Sequence, residues 1–543
     1  MKSVLRAILC ATALVVMVGC AARFESFSFV SSDGSSVDIW QSRRVARDAE
    51  NRFQPSASTS STPVYHLAKT QVVGADGQSF AFSYTNTVPH AILTLYADKN
   101  TVLAKGTLPA VGETKVRFLF PLERGARLWG YQVSTASDTT GALTFTSAGF
   151  GPSVHGFSID KDTLSTDGSV EVLSASPGTL SARITSATRE QMANGILVLS
   201  IGMGEGAAGG RFIFTDPAGK SATFDVNPAS TPRRLDFARG SMEFLPQELK
   251  MAGIVQSVRI AGISADAPIP ADPGAILSWD RAQWRKPDFE LFSWTRFPKV
   301  LIFDFSTYDL QDAFLKRVAF FVEKAGHAGS VEPLSSLNGK HAYNAHDYRA
   351  EDLARFFQAA LQHGGISTEE GVLAKNLVNN GLLLQTSSGY APGEGSILSI
   401  SRESSPALRD LLLTHECFHG VFFSLPAFRD AAEKQWASLS NVERAVWLDY
   451  LGAHGYDTTD HFLMVNEFQS YLFQQERIGI WGFQDKTLAA MRGESGRSAG
   501  LVRQLLASHA SSFLKSFDAL DSALQAAGGP PGGHAIAVNR VTP

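Results

Sequence analysis

Cysteine is scarce, with three residues at positions 10, 20 and 417 of a 543-residue chain, so stability rests on hydrophobic cores that a chain this long can bury without staples. An excess of basic charge is missing too: a formal net charge of -4 provides no broad field that neutralises phosphates, which argues against a nucleic-acid partner. Beyond the first twenty residues no run of about 18 apolar residues would span a bilayer. The polar bias of a disordered chain is also absent, since 44% of residues are hydrophobic and 18% charged. A globular protein of about two to four domains is expected, without internal repeats.

The N-terminus, MKSVLRAILCATALVVMVGCAARF, has the layout of an export signal: Lys2 and Arg6 form a positive region, residues 7–18 an apolar one, and Gly19-Cys20 follows. MVGC resembles the bacterial lipobox, with Met17 a less usual residue at its first position. The resemblance implies a signal peptide over 1–19 and lipidation of Cys20, whose acyl chains tether the chain to a membrane. Ala21 is not the Asp that retains some lipoproteins at the inner membrane, which favours the outer membrane, on its periplasmic face or the cell surface. With Cys10 removed and Cys20 acylated, Cys417 alone remains and no intramolecular disulfide can form.

Residues 20–63 read as an arm and linker, ending in the low-complexity SASTSSTP at 56–63. Short alternating runs follow. SFAFSY (79–84) places Phe80, Phe82 and Tyr84 on one face, KVRFLF (115–120) repeats the pattern, and RFIFTDPAGKSATFDV (211–226) reads as two strands around an Asp-Pro-Ala-Gly turn. Antiparallel β-sandwiches are expected over 64–160 and 161–275, and ADAPIPADPG (265–274) reads as a break between domains. From 276 to 526 helices dominate, at about 308–326, 348–362, 368–384, 406–423, 428–452, 459–476 and 500–526, with strands at 299–305 and 395–404. Residues 527–543, rich in Gly and Pro, are expected to be a flexible tail.

LLLTHECFHGVFFS (411–424) sets polar, titratable groups inside an apolar run. Ser405 can cap this helix and Pro406 suits its first position. At about 100° per residue, His419 lies about 40° from His415 and Glu416 about 100° away, so the three share one side while Leu413, Cys417 and Val421 take the other. HECFH fits H-E-x-x-H, in which two histidines bind zinc and the glutamate acts on water. The bland alternative is a pair of core histidines bonded to backbone carbonyls. A third ligand is needed; Phe422 and Leu425 occupy positions where a metzincin requires Gly and His, which excludes that class. MVNEFQSYLFQQ (464–475) offers Glu467 among apolar neighbours, with Asp457 and Asp460 as second choices.

An H-E-x-x-H helix followed by a helix bearing Asn466-Glu467, with Tyr471 four residues on, resembles the gluzincin zinc metallopeptidases over about 396–475. The separation of His419 from Glu467 is longer than in thermolysin and holds an additional helix. The resemblance implies a mainly α, zincin-like (α+β) catalytic domain over 276–526, with His415, His419 and Glu467 holding one zinc per chain and Glu416 as the general base. It also places SILSISRE (396–403) where such enzymes keep the edge strand that aligns an extended peptide. Tyr471, His454 and Tyr456 are candidate donors to a developing oxyanion. The expected function is a membrane-anchored metallopeptidase acting on peptide or protein substrates. The alternative is a non-catalytic lipoprotein whose sandwiches recognise glycan or protein. Three further features read as structural: His346-Asp347 as part of a helix N-terminus, the aromatic cluster from Trp279 to Phe297 as packing, and Cys417 as a small hydrophobe.

Overall fold

The computed structural model describes residues 60–541 apart from 63, 74–77, 109–111, 137–138, 153–155, 161–162, 177, 205–208 and 254, together with strand segments at 25–26, 29–31, 36–37 and 52–53. The export signal and Cys20 lie outside the described residues, as do residues 56–59 of the expected linker. Thr62, at its end, is buried, and its hydroxyl accepts from the Val133 N–H. Antiparallel sheets dominate the N-terminal part and helices the C-terminal part. The chain divides into two compact units, one comprising residues up to 175 with 181–190 and 255–261, the other 176–180, 191–254 and 262–543.

The first unit is a sandwich. One sheet pairs Leu143–Pro152, Gln78–Asn86 and Gly112–Pro121; the other pairs Tyr65–Val72, Arg127–Ser134, Ala91–Tyr96 and Val102–Leu108. The alternation seen in the sequence sets its core, where Phe80, Phe82, Tyr84 and Phe118 of one sheet meet Tyr65, Leu93, Leu95 and Tyr131 of the other. The boundary expected at 160/161 falls instead between two paired strands, Gly156–Asp160 and Thr163–Thr166.

The second unit contains both β and helical parts, so the division expected at 275/276 does not separate compact bodies. The hairpin over 211–226 forms with the expected turn, Gly210–Thr215 pairing with Ser221–Val226. Phe214 and Phe224 of the hairpin pack on Phe237 of Arg234–Ala238, which pairs with Ile196–Met203. Ala238 and Val198 belong to the same core as Trp279, Trp294 and the motif helix. A Cβ on Gly240 would lie 1.8 Å from the Trp279 ring, so only glycine admits that tryptophan.

The central sheet of this unit has five strands: β1 (Ile269–Ala271), β2 (Phe289–Trp294), β3 (Phe297–Phe305), β4 (His346–Arg349) and β5 (Ser396–Ser401), in spatial order β1-β2-β3-β5-β4. The expected break at 265–274 is therefore part of the sheet, because Ile269 and Ala271 are buried and β1 pairs in parallel with β2. Helices α1 (Tyr308–Val322), α2 (Ala350–Gln362), α3 (Pro406–Ser424), α4 (Pro426–Ser438), α5 (Asn441–Ala453) and α6 (His461–Phe473) follow, with Thr368–Asn379 between α2 and α3 and with Ile480–Glu494, Gly496–Ser508 and Ser512–Ala526 after α6. The single helix expected over 428–452 is two, since Ser440 starts α5 with a capping box to Glu443.

The tail is not loose. Val538–Val541 pairs with Ser221–Val226, and Ala535, Ala537 and Val538 are buried. Asp272 caps the short helix Pro273–Leu277 and also accepts from the N–H groups of Ala537 and Val538, at 3.2 and 3.0 Å. A Cβ on Gly274 would meet the Val538 carbonyl oxygen at 1.6 Å. Glycine content alone suggested mobility; buried hydrogen bonds to one carboxylate hold the segment instead.

Removing Asp272 leaves those N–H groups buried without partners, so Asp272→Ala is expected to cost about 1–3 kcal/mol at neutral pH in chemical denaturation and to open the tail to limited proteolysis. Burial raises the Asp272 pKa from 3.8 to about 6. The folded state therefore holds this proton more tightly, and the group's contribution is full below the unfolded value and declines as pH rises through about 6. The stability difference between wild type and variant should shrink over that interval.

Candidate functional site

Helix α3 begins as the sequence indicates, with the Ser405 hydroxyl accepting from the Leu408 N–H and Pro406 in the first turn. Its position on the sheet is set by Arg409, which donates to both oxygens of Asp304 on β3 at 2.8 and 3.1 Å, all of it buried. Leu413, Cys417 and Val421 enter the core, and His415, Glu416 and His419 are buried on another side. Helix α6 starts at the Asp460 cap, which accepts from the Leu463 N–H. Asp457 is likewise occupied, accepting from the Thr459 N–H and hydroxyl. Both aspartates serve as local caps, and neither joins the cluster of possible metal ligands.

Glu467 does join it. Ligand atoms of His415, His419 and Glu467 all lie within 4.8 Å of one another. The two Nε2 atoms are 3.0 Å apart, with Glu467 oxygens 3.5 Å from His415 and 3.7 Å from His419. Glu467 is 1% exposed, which rules out a solvated helix carboxylate. Each imidazole is held through its other nitrogen: His415 Nδ1 donates to the Gln474 carbonyl oxygen at 3.2 Å, and His419 Nδ1 lies 3.0 Å from the Ser470 hydroxyl. Because that amide oxygen only accepts, His415 keeps its proton on Nδ1 and presents a lone pair at Nε2. Glu467 Oε2 has no hydrogen-bond partner. The His415 Nε2 lone pair and an unpartnered Glu467 oxygen thus converge beside His419 Nε2, a donor set that suits a cation.

His415, Glu416 and His419 line a cavity of about 290 Å³ together with Glu323, Tyr343, His346, Asp347, Tyr456 and Tyr471. Burial, reinforced by Asp347, Glu467 and Glu323, pushes Glu416 well above the usual carboxylate range, and its Oε2 has no partner. Burial raises Glu467 to about 7 against the pull of His419, and lowers both His415 and His419 to about 4, keeping the imidazoles neutral. Tyr471 packs edge-on against His415, with ring centroids 4.7 Å apart. His454 is exposed, bonds the Tyr450 carbonyl and does not line the cavity.

The expected substrate-aligning strand differs. Ser396–Ser401 is paired on both sides and wholly buried, so β5 has no free edge; the edge strand is β4, antiparallel to it. β4 carries His346 and Asp347, which the sequence reading assigned to a helix N-terminus. The helix begins only at Ala350, without a side-chain cap, and Asp347 accepts from Asn466 Nδ2 and lies 3.6 Å from His419 Nε2. Glu323, at the C-terminal end of α1, was also missed: nothing in VEKAG distinguishes a buried glutamate from a solvated helix end. Asp347, Glu416 and His419 form a second possible ligand group. It shares His419 Nε2 with the first group, and one nitrogen lone pair serves one ion.

No family model matches the chain, and a search of curated proteins finds no relative. Among solved structures, the N-terminal CBM22-1-CBM22-2 tandem domain of Paenibacillus barcinonensis Xyn10C is aligned over its whole length with 45% of this chain, at 11% identity and a TM-score of 0.13. Similarity of that degree says nothing about fold or ligand.

Arg409→Ala would leave Asp304 with Arg402 as its remaining cation, and a loss of about 3 kcal/mol in chemical denaturation is expected, because a broken buried pair leaves an under-compensated charge.

Proposed function

We propose that the chain is a zinc metallopeptidase of gluzincin type, with a zincin-like catalytic region, anchored to a membrane through a lipidated Cys20. The observation that carries this reading is the buried convergence of His415, His419 and Glu467, in which Glu467 Oε2 has no hydrogen-bond partner, a donor set chemically suited to zinc. When bound, zinc would supply a Lewis acid that acidifies water and polarises a carbonyl.

The remaining chemistry belongs to the chain. Glu416 Oε2, unpartnered on the cavity wall, takes the proton from the attacking water and returns it to the leaving amine. Gln474 and Ser470 orient the two imidazoles through their Nδ1 atoms, so that both Nε2 atoms face inward. Tyr471, lining the same cavity, offers a hydroxyl to charge developing on the substrate oxygen. The edge strand β4 flanks the cavity and can align a peptide backbone.

Purified protein is expected to hold about one zinc per chain by elemental analysis and to lose peptide cleavage on chelation. Glu416→Gln should retain the metal and lower kcat by about 10²–10⁴-fold. Glu467→Ala should weaken zinc binding by more than the roughly 10–100-fold that loss of an outer-shell partner costs. A folded wild-type protein that takes up no zinc, or an unchanged affinity in Glu467→Ala, contradicts the assignment.

A further inference from the structure

A second cavity, of about 810 Å³, opens where β3 begins and β4 ends, and it shares no lining residue with the cavity of the histidines. Its charge is of the other sign. Arg296, Lys299, Arg349 and Arg429 line it against two carboxylates, Glu351 and Glu394, in a chain whose net charge is -4. Lys299 and Glu394 pair with each other and cancel. Arg349 pairs with Asp352 at 2.8 Å, but that carboxylate also accepts from Arg355 at 2.6 Å, so one negative charge serves two guanidiniums. Among the described residues the other two arginines have neutral acceptors only. Arg296 donates to the carbonyls of Ser230 and Gly528 at 3.3 and 3.1 Å, and Arg429 Nη1 to those of Phe422 and Phe423 at 3.5 and 3.4 Å. Burial lowers the Arg296 pKa against the pull of Asp272, whose two oxygens are already occupied by backbone N–H groups. Cations held without a carboxylate of their own favour an anionic ligand.

The walls of this cavity are fixed by close packing. A Cβ on Gly395 would lie 2.3 Å from the Lys299 carbonyl oxygen, and one on Gly393 would lie 2.0 Å from that of Gly381. Arg349 is held by Asp352 and by stacking 4.0 Å over the Phe462 ring. Charge and space then select the ligand. A guanidinium presents forked N–H groups to an oxyanion, and Arg296 Nε, Arg429 Nε and Arg429 Nη2 have no protein acceptor among the described residues. The lining carries four cations against two carboxylates, an excess of two, which a phosphate monoester matches with its charge of about -1.5 to -2 at neutral pH. Inorganic phosphate would leave most of the volume empty, and Phe297 and Phe423 in the lining offer apolar surface to an organic remainder.

We propose that this cavity binds a phosphate monoester, with Arg296, Arg349 and Arg429 serving the phosphate and Phe297 and Phe423 packing on the organic part. The site stands apart from the histidine cluster and does not depend on the metallopeptidase reading. Glu351 is the lining carboxylate that has no ion pair among the described residues, and it opposes the ligand by repulsion. A free phosphorylated small molecule and a phospholipid headgroup present the same group, and the experiment separates them.

The test is titration calorimetry of the purified protein with phenyl phosphate. Saturable binding that weakens as salt rises is expected. Arg296→Gln and Arg429→Gln should each weaken it by about tenfold or more, the loss expected for one charged hydrogen bond, whereas Glu351→Gln should tighten it. Opposite directions within one lining separate charge recognition from damage to the fold, and denaturation midpoints confirm that each variant is folded. Tighter binding of dihexanoyl phosphatidic acid than of glycerol 3-phosphate supports the site with a lipid headgroup as its ligand; an equal or reversed order supports it with a free phosphate ester. Absence of phenyl phosphate binding to the folded wild type, binding of benzyl alcohol or phenylacetate as tight as that of phenyl phosphate, or an affinity that Glu351→Gln leaves unchanged overturns the proposal.

Discussion

Everything at the candidate site depends on an electrostatic debt: helices α3 and α6 carry two neutral imidazoles and a carboxylate into a place from which water is largely excluded. Desolvation keeps His415 and His419 unprotonated, so they bring no positive charge of their own to Glu467. Glu416, Asp347 and Glu323 add further buried carboxyl groups around the same cavity, each pushed upward by burial. Such a collection is unfavourable by itself and becomes favourable around a cation. The surrounding core, with Phe418, Phe422, Phe468 and Leu472 fully buried, holds the two helices rigidly enough for the donor set to persist.

The scaffold works outward from that requirement. Arg409 and Asp304 join α3 to β3, β5 lies beneath the helix, and β4 closes the sheet at an edge that flanks the cavity. In the same unit, Asp272 ties the C-terminal strand to the short helix after β1. Val198 of Ile196–Met203 and Ala238 of Arg234–Ala238 share a core with the helices, so these strands belong to the same compact unit as the candidate site.

Features governed by local rules were legible in the sequence. Alternation in 79–84 identifies a strand of the sandwich, the Asp-Pro-Ala-Gly turn identifies the hairpin over 211–226, and Ser405-Pro406 marks the start of α3. The motif itself, with Glu467 well down the chain, could be read because a carboxylate flanked by Met464, Phe468 and Leu472 stands out against its neighbours. What escaped was set by tertiary pairing. Ile269–Ala271 is too short and proline-rich to read as a strand until β2 lies beside it, and the tail is ordered by one distant carboxylate. Asp347 and Glu323 were overlooked for a related reason: on β4 and at the end of α1 they look solvated, and only the docking of α6 against them turns them into cavity walls.

The most direct measurement is zinc K-edge X-ray absorption on the metal-loaded protein. Two imidazole nitrogens at about 2.0–2.1 Å and carboxylate oxygen at about 2.0–2.2 Å are predicted, with one imidazole contribution lost in His419→Ala. A shell with sulfur from Cys417, or one of oxygen ligands without imidazole, would contradict the assignment of His415, His419 and Glu467.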